Sequence, residues 1–194
     1  MNIYFYDVFF ILLKKIMLID SSELIQAVEL YLYHWFSFPR DKVFAQVTTV
    51  MHQKPHIRTM DLYHVTPNGS LIFLTDTRSP KWAHLNHCPN VGVCLANPEH
   101  GQIIVEGIAV LHTSQNNLPL ASLYWQNYLD EYWRNYYLTH SDTSNGISLS
   151  FGVIQIIPAL WQVLEINKND FLKGSRMEYK FKNGMWIKNQ LPLF

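Results

Sequence analysis

The sequence predicts a mainly β protein with peripheral α-helices, an α+β chain whose strands close into a barrel. Three observations carry this. Short β-branched and aromatic runs recur between turn signals from residue 43 onward. Helical periodicity is confined to a few segments around them, and about seven or eight strands against so few helices favour a closed barrel over a parallel sheet. Hydrophobic residues make up 48% and charged residues 15% of the 194, a globular composition with material for one sizeable core. No internal repeat, low-complexity stretch or linker divides the chain, so residues 17–194 are expected to form a single domain.

The elements follow in order. Residues 3–13 form an apolar run ending at Lys14-Lys15, too short to span a bilayer and without a signal-peptide cleavage site. Residues 1–16 are therefore expected to be an N-terminal extension, with Met17 as an alternative start. Asp20 and Glu23 have the spacing of a helix N-cap and its N3 acid. Leu24, Ile25, Val28, Leu32 and Trp35 then recur at helical spacing up to a stop near Pro39. Residues 43–50 and 57–65 read as strands, Thr66-Pro67-Asn68-Gly69 as a turn, and 70–75 as the next strand. Ser79-Pro80-Lys81 opens a short helix that Cys88-Pro89-Asn90 ends. Strands resume at 91–96 and 102–112, where Gly107 predicts a bulge or a close approach by a ligand or another backbone. Residues 118–138 read as one helix with an aromatic stripe (Tyr124, Trp125, Tyr128, Tyr132, Trp133, Tyr136 and Tyr137), assigned to packing in the core or in a dimer. Strands at 151–157 and 161–166 precede a hairpin of 176–181 with 185–188, turned by Asn183-Gly184.

Fifteen basic residues balance fifteen acidic ones, so the clustered cationic excess of a nucleic-acid binder is missing. Any anionic ligand must be held by a few well-placed basic groups. Two cysteines, Cys88 and Cys94, do not make a disulfide framework, and a reducing cytoplasm is expected. Arg58 shares a strand face with Met60, Leu62 and His64, where a guanidinium needs either a carboxylate or phosphate partner or an edge position open to solvent. Thr75, Arg78, Ser79 and Lys81 lie where a strand runs into a helix N-terminus, which supplies hydroxyls, free N–H groups and two cations. That is the physical recipe for a phosphate site, although an ordinary capped helix with solvated charges has the same residues. No glycine-rich phosphate loop or G-x-S-x-G nucleophile motif occurs. His84, His87, Cys88, Cys94 and His100 fit no ordinary zinc spacing, and no metal is expected.

Taken in order, the segments Pro55-His56-Ile57-Arg58-Thr59-Met60, Leu74-Thr75-Asp76-Thr77-Arg78-Ser79-Pro80-Lys81, Asn90-Val91, Gly101-Gln102-Ile103, and Arg176-Met177-Glu178-Tyr179 with Trp186 resemble the pyridoxamine 5′-phosphate oxidase family of FMN-binding split β-barrels. The resemblance covers residues 43–112 well and 151–192 more loosely. It implies a split barrel that binds FMN as a homodimer with sites at the subunit interface. Arg58, Ser79 and Lys81 would grip the flavin phosphate, with Arg78 beside them. Thr59, Met60, Leu74 and Thr75 would line the flavin, and Gln102 and Arg176 would reach its ring end, often from the second subunit. No catalytic acid, base or nucleophile is implied.

The departures are specific. Tyr63 stands where oxidases of this family have a lysine for the substrate phosphate, and Leu172-Lys173-Gly174-Ser175 stands where they have Arg-Leu-His. Leu164 replaces a tryptophan near the flavin, and Gln190-Leu191-Pro192 is a degraded form of their C-terminal ending. The expectation is an FMN-dependent oxidoreductase with an altered substrate pocket. Two alternatives stand beside it. One is a genuine pyridoxamine or pyridoxine 5′-phosphate oxidase using Lys173 or Arg134 as substitute phosphate ligands. The other is a non-catalytic flavin-binding protein.

Overall fold

The computed structural model describes residues 17–193, so the extension expected over residues 1–16 lies outside the described residues. Strand β1 (Met17–Ile19) leads into helix α1 (Ser21–Phe36), where the Asp20 carboxylate accepts the Glu23 backbone N–H at 2.9 Å. Leu24, Ile25, Val28, Leu32 and Trp35, the periodic set, are its buried face. The helix stops at Ser37 in the left-handed region, where the N–H groups of Ser37 and Phe38 satisfy the carbonyls of Tyr33 and Leu32.

The strands that follow are β2 (Val43–Met51), β3 (Lys54–Leu62), β4 (His64–Val65) and β5 (Leu71–Asp76). Helix α2 (Pro80–His87) precedes β6 (Asn90–Asn97) and β7 (Gly101–His112). Helices α3 (Leu118–Asn127) and α4 (Glu131–His140) and a small ribbon of β8 (Thr143–Ser144) and β9 (Ile147–Ser148) lead to β10 (Phe151–Glu165). A 3₁₀ turn at Phe171–Lys173, then β11 (Ser175–Lys182) and β12 (Met185–Gln190), complete the described chain.

Antiparallel pairing makes a ring: β2 with β6, β6 with β7, β7 with β10, β10 with β5, and β5 with β4. The ring closes because β4 continues β3, which pairs with β2, and only Tyr63 separates the two. Its N–H donates to the Ile72 carbonyl at 3.0 Å. β10 is longer than the ring needs. Its first half pairs with β5, and its second half leaves the ring to pair with β11, from which β12 and β1 extend the sheet. This is a split barrel.

Alternate residues point inward, as the pleat requires, and Ala45, Val47, Phe73, Leu95, Ile103, Val105 and Trp161 are among the buried residues of the interior. A second core lies under α3 and α4 on the opposite face of β5 and β10, built from Ile72, Ala121, Tyr124, Trp125, Leu129, Tyr137, Phe151 and Val153. β10 is therefore covered on both faces at its start, and Phe151–Ile154 is buried without alternation.

Three expectations are corrected. Residues 118–138 form two helices, because the Asp130 side chain accepts the Trp133 N–H at 3.0 Å and caps a new helix. The aromatic stripe is consequently divided: Tyr124, Trp125 and Tyr137 are buried, whereas Tyr132, Trp133 and Tyr136 are exposed. Residues 151–157 and 161–166 belong to one strand, whose register slips between Pro158 and Leu160, since a bulge accommodates a residue without an N–H. The strand count also exceeds seven or eight: the main sheet has 10 strands, and β1, β4 and the β8–β9 ribbon are too short to show a period in sequence. Gly107 meets another backbone. It pairs with Pro158 at that bulge, and a Cβ there would collide with the Ile157 carbonyl oxygen.

Candidate functional site

The ring has one seam without ladder hydrogen bonds. Before Tyr63, β3 uses only its β2-facing edge, and after Phe73, β5 uses only its β10-facing edge. Residues 59–61 and 73–76 therefore present open backbone edges to each other, with N–H and C=O groups available to a ligand. A cavity of about 300 Å³ fills this seam, at the small end of ligand pockets. Thr59, Met60 and Asp61 line it from β3, Leu74, Thr75 and Asp76 from β5, and Lys81 from α2. Leu129, Trp133, Tyr136 and Tyr137 form its far wall, and Tyr63 sits at the ring closure.

At the α2 end, polar groups converge. Lys81 Nζ donates to Thr75 Oγ1 at 2.9 Å, and the hydroxyls of Thr75 and Ser79 lie 3.4 Å apart. Ser79 is the N-cap of α2, yet its hydroxyl makes no capping bond and stays available. Arg58 Nη1 donates to the Val47 carbonyl at 3.1 Å. Burial lowers the Arg58 pKa. Burial first and the charge of Arg58 second lower that of Lys81, with Asp76 offsetting part. Among the described residues no carboxylate forms an ion pair with either cation. Two like charges held together, half-buried and unpaired, are an arrangement that an anion would relieve.

Arg78 is placed differently. Its guanidinium is paired with Asp76 and donates to the His140 carbonyl at 2.9 Å, so it ties the loop to the C-terminus of α4. Burial would raise the Asp76 pKa, but the hydrogen bonds and charge of Arg78 outweigh it and the carboxyl is lowered. Gln102 and Arg176 are not at the seam either. Both flank Leu164 across β7, β10 and β11, and Arg176 Nη2 donates to Gln162 Oε1 at 3.2 Å. Thr75 faces Gly152 on the same β10, so roughly 40 Å of strand separates the two groups at about 3.3 Å per residue. The structure thus brings together Arg58, Thr59, Met60, Leu74, Thr75, Ser79 and Lys81 and leaves Gln102 and Arg176 remote within one chain.

Sequence reasoning missed the α4 wall and the two acids. The Asp130 N-cap was the available signal for Trp133 and Tyr136, because restarting the helix there turns these two out of the core while Tyr137 stays in it. The His/Cys group is dispersed: His84 receives or donates at Thr49 Oγ1 (3.0 Å) and faces His56, whereas His100 stacks on Trp35. A larger cavity of about 630 Å³ beside α1 has Gln26, Glu29 and His64 as polar lining and no lysine or arginine for a phosphate.

The buried phenols carry a pH prediction. Burial, with Asp61 and Asp130 adding to it, pushes Tyr63 up to about 12. Burial does the same for Tyr124 and Tyr179, both to about 12. A pKa raised in the folded state favours the neutral phenol there, so this contribution is intact below the ordinary value near 10 and erodes as pH rises toward 12. Denaturant midpoints are expected to fall across pH 10–12, and absorbance at 295 nm should show these phenols ionising only with unfolding. Their titration near 10 in the folded protein would contradict the burial.

No protein-family model matches the chain, and no curated protein matches it. Solved structures do. A pyridoxamine 5′-phosphate oxidase-related, FMN-binding protein from Nostoc punctiforme superimposes with TM-score 0.70 at 18% identity, over 86% of this chain and 96% of that one. PhzG from Burkholderia lata, solved with tetrahydrophenazine-1-carboxylic acid, gives 0.63 at 16% identity, over 88% and 92%. A Clostridium acetobutylicum protein of the pyridoxinephosphate oxidase family, related to general stress protein 26, gives 0.54 at 12% identity, over 84% and 97%. At such identities the likeness is one of architecture: the chain has the split-barrel fold of the pyridoxamine 5′-phosphate oxidase-related, FMN-binding proteins.

Proposed function

We propose that the protein is an FMN-dependent oxidoreductase that works in the cytoplasm as a homodimer, with its flavin phosphate held by Arg58, Lys81, Thr75 and Ser79. The observation that carries the reading is the pair of half-buried cations without a carboxylate partner beside the linked hydroxyls of Thr75 and Ser79. A dianion there would accept charge-assisted hydrogen bonds from groups already positioned. The open edges of β3 and β5 would serve the polar rim of a planar ring, and Met60 and Leu74 its apolar faces. Bound there, FMN would supply the redox chemistry, while the protein's own groups bind, orient and exclude water.

The remote placement of Gln102 and Arg176 supports the dimer: only a second copy could bring them to the flavin ring. The exposed apolar residues Phe44, Ile57, Ile108, Ile157 and Phe181 provide surface for such a contact. Among the described residues no helix is long and apolar enough to cross a membrane.

The test is an absorbance spectrum of the purified protein after adding FMN and removing the excess, with mass from sedimentation. Flavin bands at half occupancy or above on a species of twice the chain mass are expected. A colourless protein would refute the cofactor assignment, and a yellow monomer would refute the shared site.

A further inference from the structure

Histidines continue the line that Arg58 and Lys81 begin. Thr49 and His56 are direct partners across β2 and β3, and Val47 and Arg58 are the next pair on the same face. Helix α2 packs over this end of the hairpin. His84 Nδ1 lies 3.0 Å from the buried Thr49 hydroxyl, and the His84 ring centroid is 4.4 Å from that of His56. Lys81, one turn earlier on the same helix, donates to the Thr75 hydroxyl of the phosphate cluster. His52 in the β2–β3 turn and His87 one turn later on α2 make a second pair, with centroids 5.8 Å apart. His56 follows Arg58 along its strand face at about 6–7 Å, two residues of extended chain.

The groups around His84 share one sign. His52 stands on the turn, His56 and Arg58 on β3, and Lys81 and His87 on its own helix, which Cys88 closes. From β2 comes the neutral Thr49 hydroxyl. Glu106 on β7 belongs to the row Thr48–Gly92–Glu106, on the sheet face opposite Thr49, and Asp76 is engaged by Arg78. Among the described residues none of the four histidines is ion-paired with a carboxylate. Burial first, then the charges of His56, Arg58 and His52, lower the His84 pKa. In the free protein His84 is therefore neutral at pH 7, where even an unperturbed imidazole is mostly so. A dianion beside Arg58 and Lys81 reverses this balance, because a negative charge at such range favours the protonated ring.

We propose that the anion site at Arg58 and Lys81 is proton-coupled: when a phosphate dianion binds there, the His56–His84 pair takes up a proton and becomes a third cation beside it. The inference rests on the reading of Arg58 and Lys81 as ligands of the flavin phosphate and adds how pH regulates that site. An imidazole whose pKa rises on binding contributes affinity that is complete below its value in the free protein. That contribution is lost as pH rises through its value in the complex. Flavin is thus held more tightly toward pH 6.5 and less tightly toward pH 8. A phosphate ester, with its second pKa near about 6, is mostly dianionic over that range. Arg176 from a second copy would act at the flavin ring with a charge that does not titrate there.

The test is fluorescence titration of FMN against the full chain at pH 6.5 and pH 8.0, with calorimetry at pH 7 in two buffers of different ionisation enthalpy. The dissociation constant is expected to be about fivefold lower at pH 6.5, with uptake of about half a proton per flavin bound. In the double variant His56→Gln/His84→Gln that ratio should fall below about twofold and the uptake should vanish. Equal affinity at the two pH values, proton release, or an unchanged ratio in the double variant would overturn the inference. Proton uptake by the unaltered protein decides alone if the variant does not fold. Sulfate, a dianion at both pH values, separates the two readings on flavin-free protein, followed by the imidazole resonances of His84. If sulfate raises the His84 titration midpoint but FMN does not bind, the flavin assignment fails alone. If FMN binds equally at both pH values, the proton coupling fails alone. If neither anion binds, both fail.

Discussion

Replacing Arg58 and Lys81 together by alanine is expected to abolish flavin retention while leaving the fold intact. Each group would donate charge-assisted hydrogen bonds to the phosphate, and hydrogen bonds to charged groups are worth about 1.5–3 kcal/mol each. The pair then accounts for about 3–6 kcal/mol, or a loss of affinity on the order of 10² to 10⁴. Removing the two should also relieve their mutual repulsion in the free protein, since each is depressed by burial and Lys81 further by Arg58. The double variant is thus expected to be no less stable than the parent in the absence of flavin. Arg78→Ala is the contrast. Its guanidinium is exposed and engaged with Asp76 and the end of α4, so flavin affinity should fall less than about threefold, as for a screened surface pair. Fluorescence titration of FMN against the three proteins, with circular dichroism as the control, decides the matter. An Arg78 variant as weak as the double one would mean the phosphate sits elsewhere on the loop.

Gly107→Ala is expected to be strongly destabilising for so small a substitution. The residue pairs with Pro158 where the β10 register slips, and an added Cβ would overlap the Ile157 carbonyl oxygen and lie 3.0 Å from Pro158 Cα. Those atoms are backbone of the longest strand, so no side-chain rotation relieves the overlap. The cost is expected near the upper end of overpacking, about 3 kcal/mol. For a domain of this size that lowers Tm by roughly 6–12 °C. Gly92 on the neighbouring β6 provides the comparison: a Cβ there meets only Thr48 Cβ at 3.9 Å, ordinary contact. Gly92→Ala should leave Tm within a few degrees of the parent, or raise it slightly through reduced unfolded-state entropy. Equal effects at the two positions would show that the bulge yields, and that the β7–β10 pairing is softer than its geometry implies.

The cluster of Arg58, Thr75, Ser79 and Lys81 was legible in the amino-acid order because most of its members are local. Thr75, Ser79 and Lys81 lie within one strand–loop–helix passage, and Arg58 sits on a strand whose alternation marks it as out of place. Helix α1 and the strands of the ring were legible for the same reason: their periodicity, caps and turns are properties of short segments. Residues of the far wall were not. Trp133, Tyr136 and Tyr137 continue a helical stripe that reads as packing, and only the Asp130 cap, competing with continuation of α3, turns the first two toward the seam.

By itself, then, the sequence determined the barrel class, most of the elements and the cluster of cations and hydroxyls at the start of α2. The tertiary structure decided the rest, because the deciding quantities are distances between strands far apart in the chain. The long β10 carries Gly152 beside Thr75 at one end and Leu164 between Gln102 and Arg176 at the other, which separates two groups that motif order had joined. The same strand arrangement leaves β3 and β5 adjacent but unpaired. No local propensity encodes that opening, since it arises from how a ring of fixed strand number closes through Tyr63.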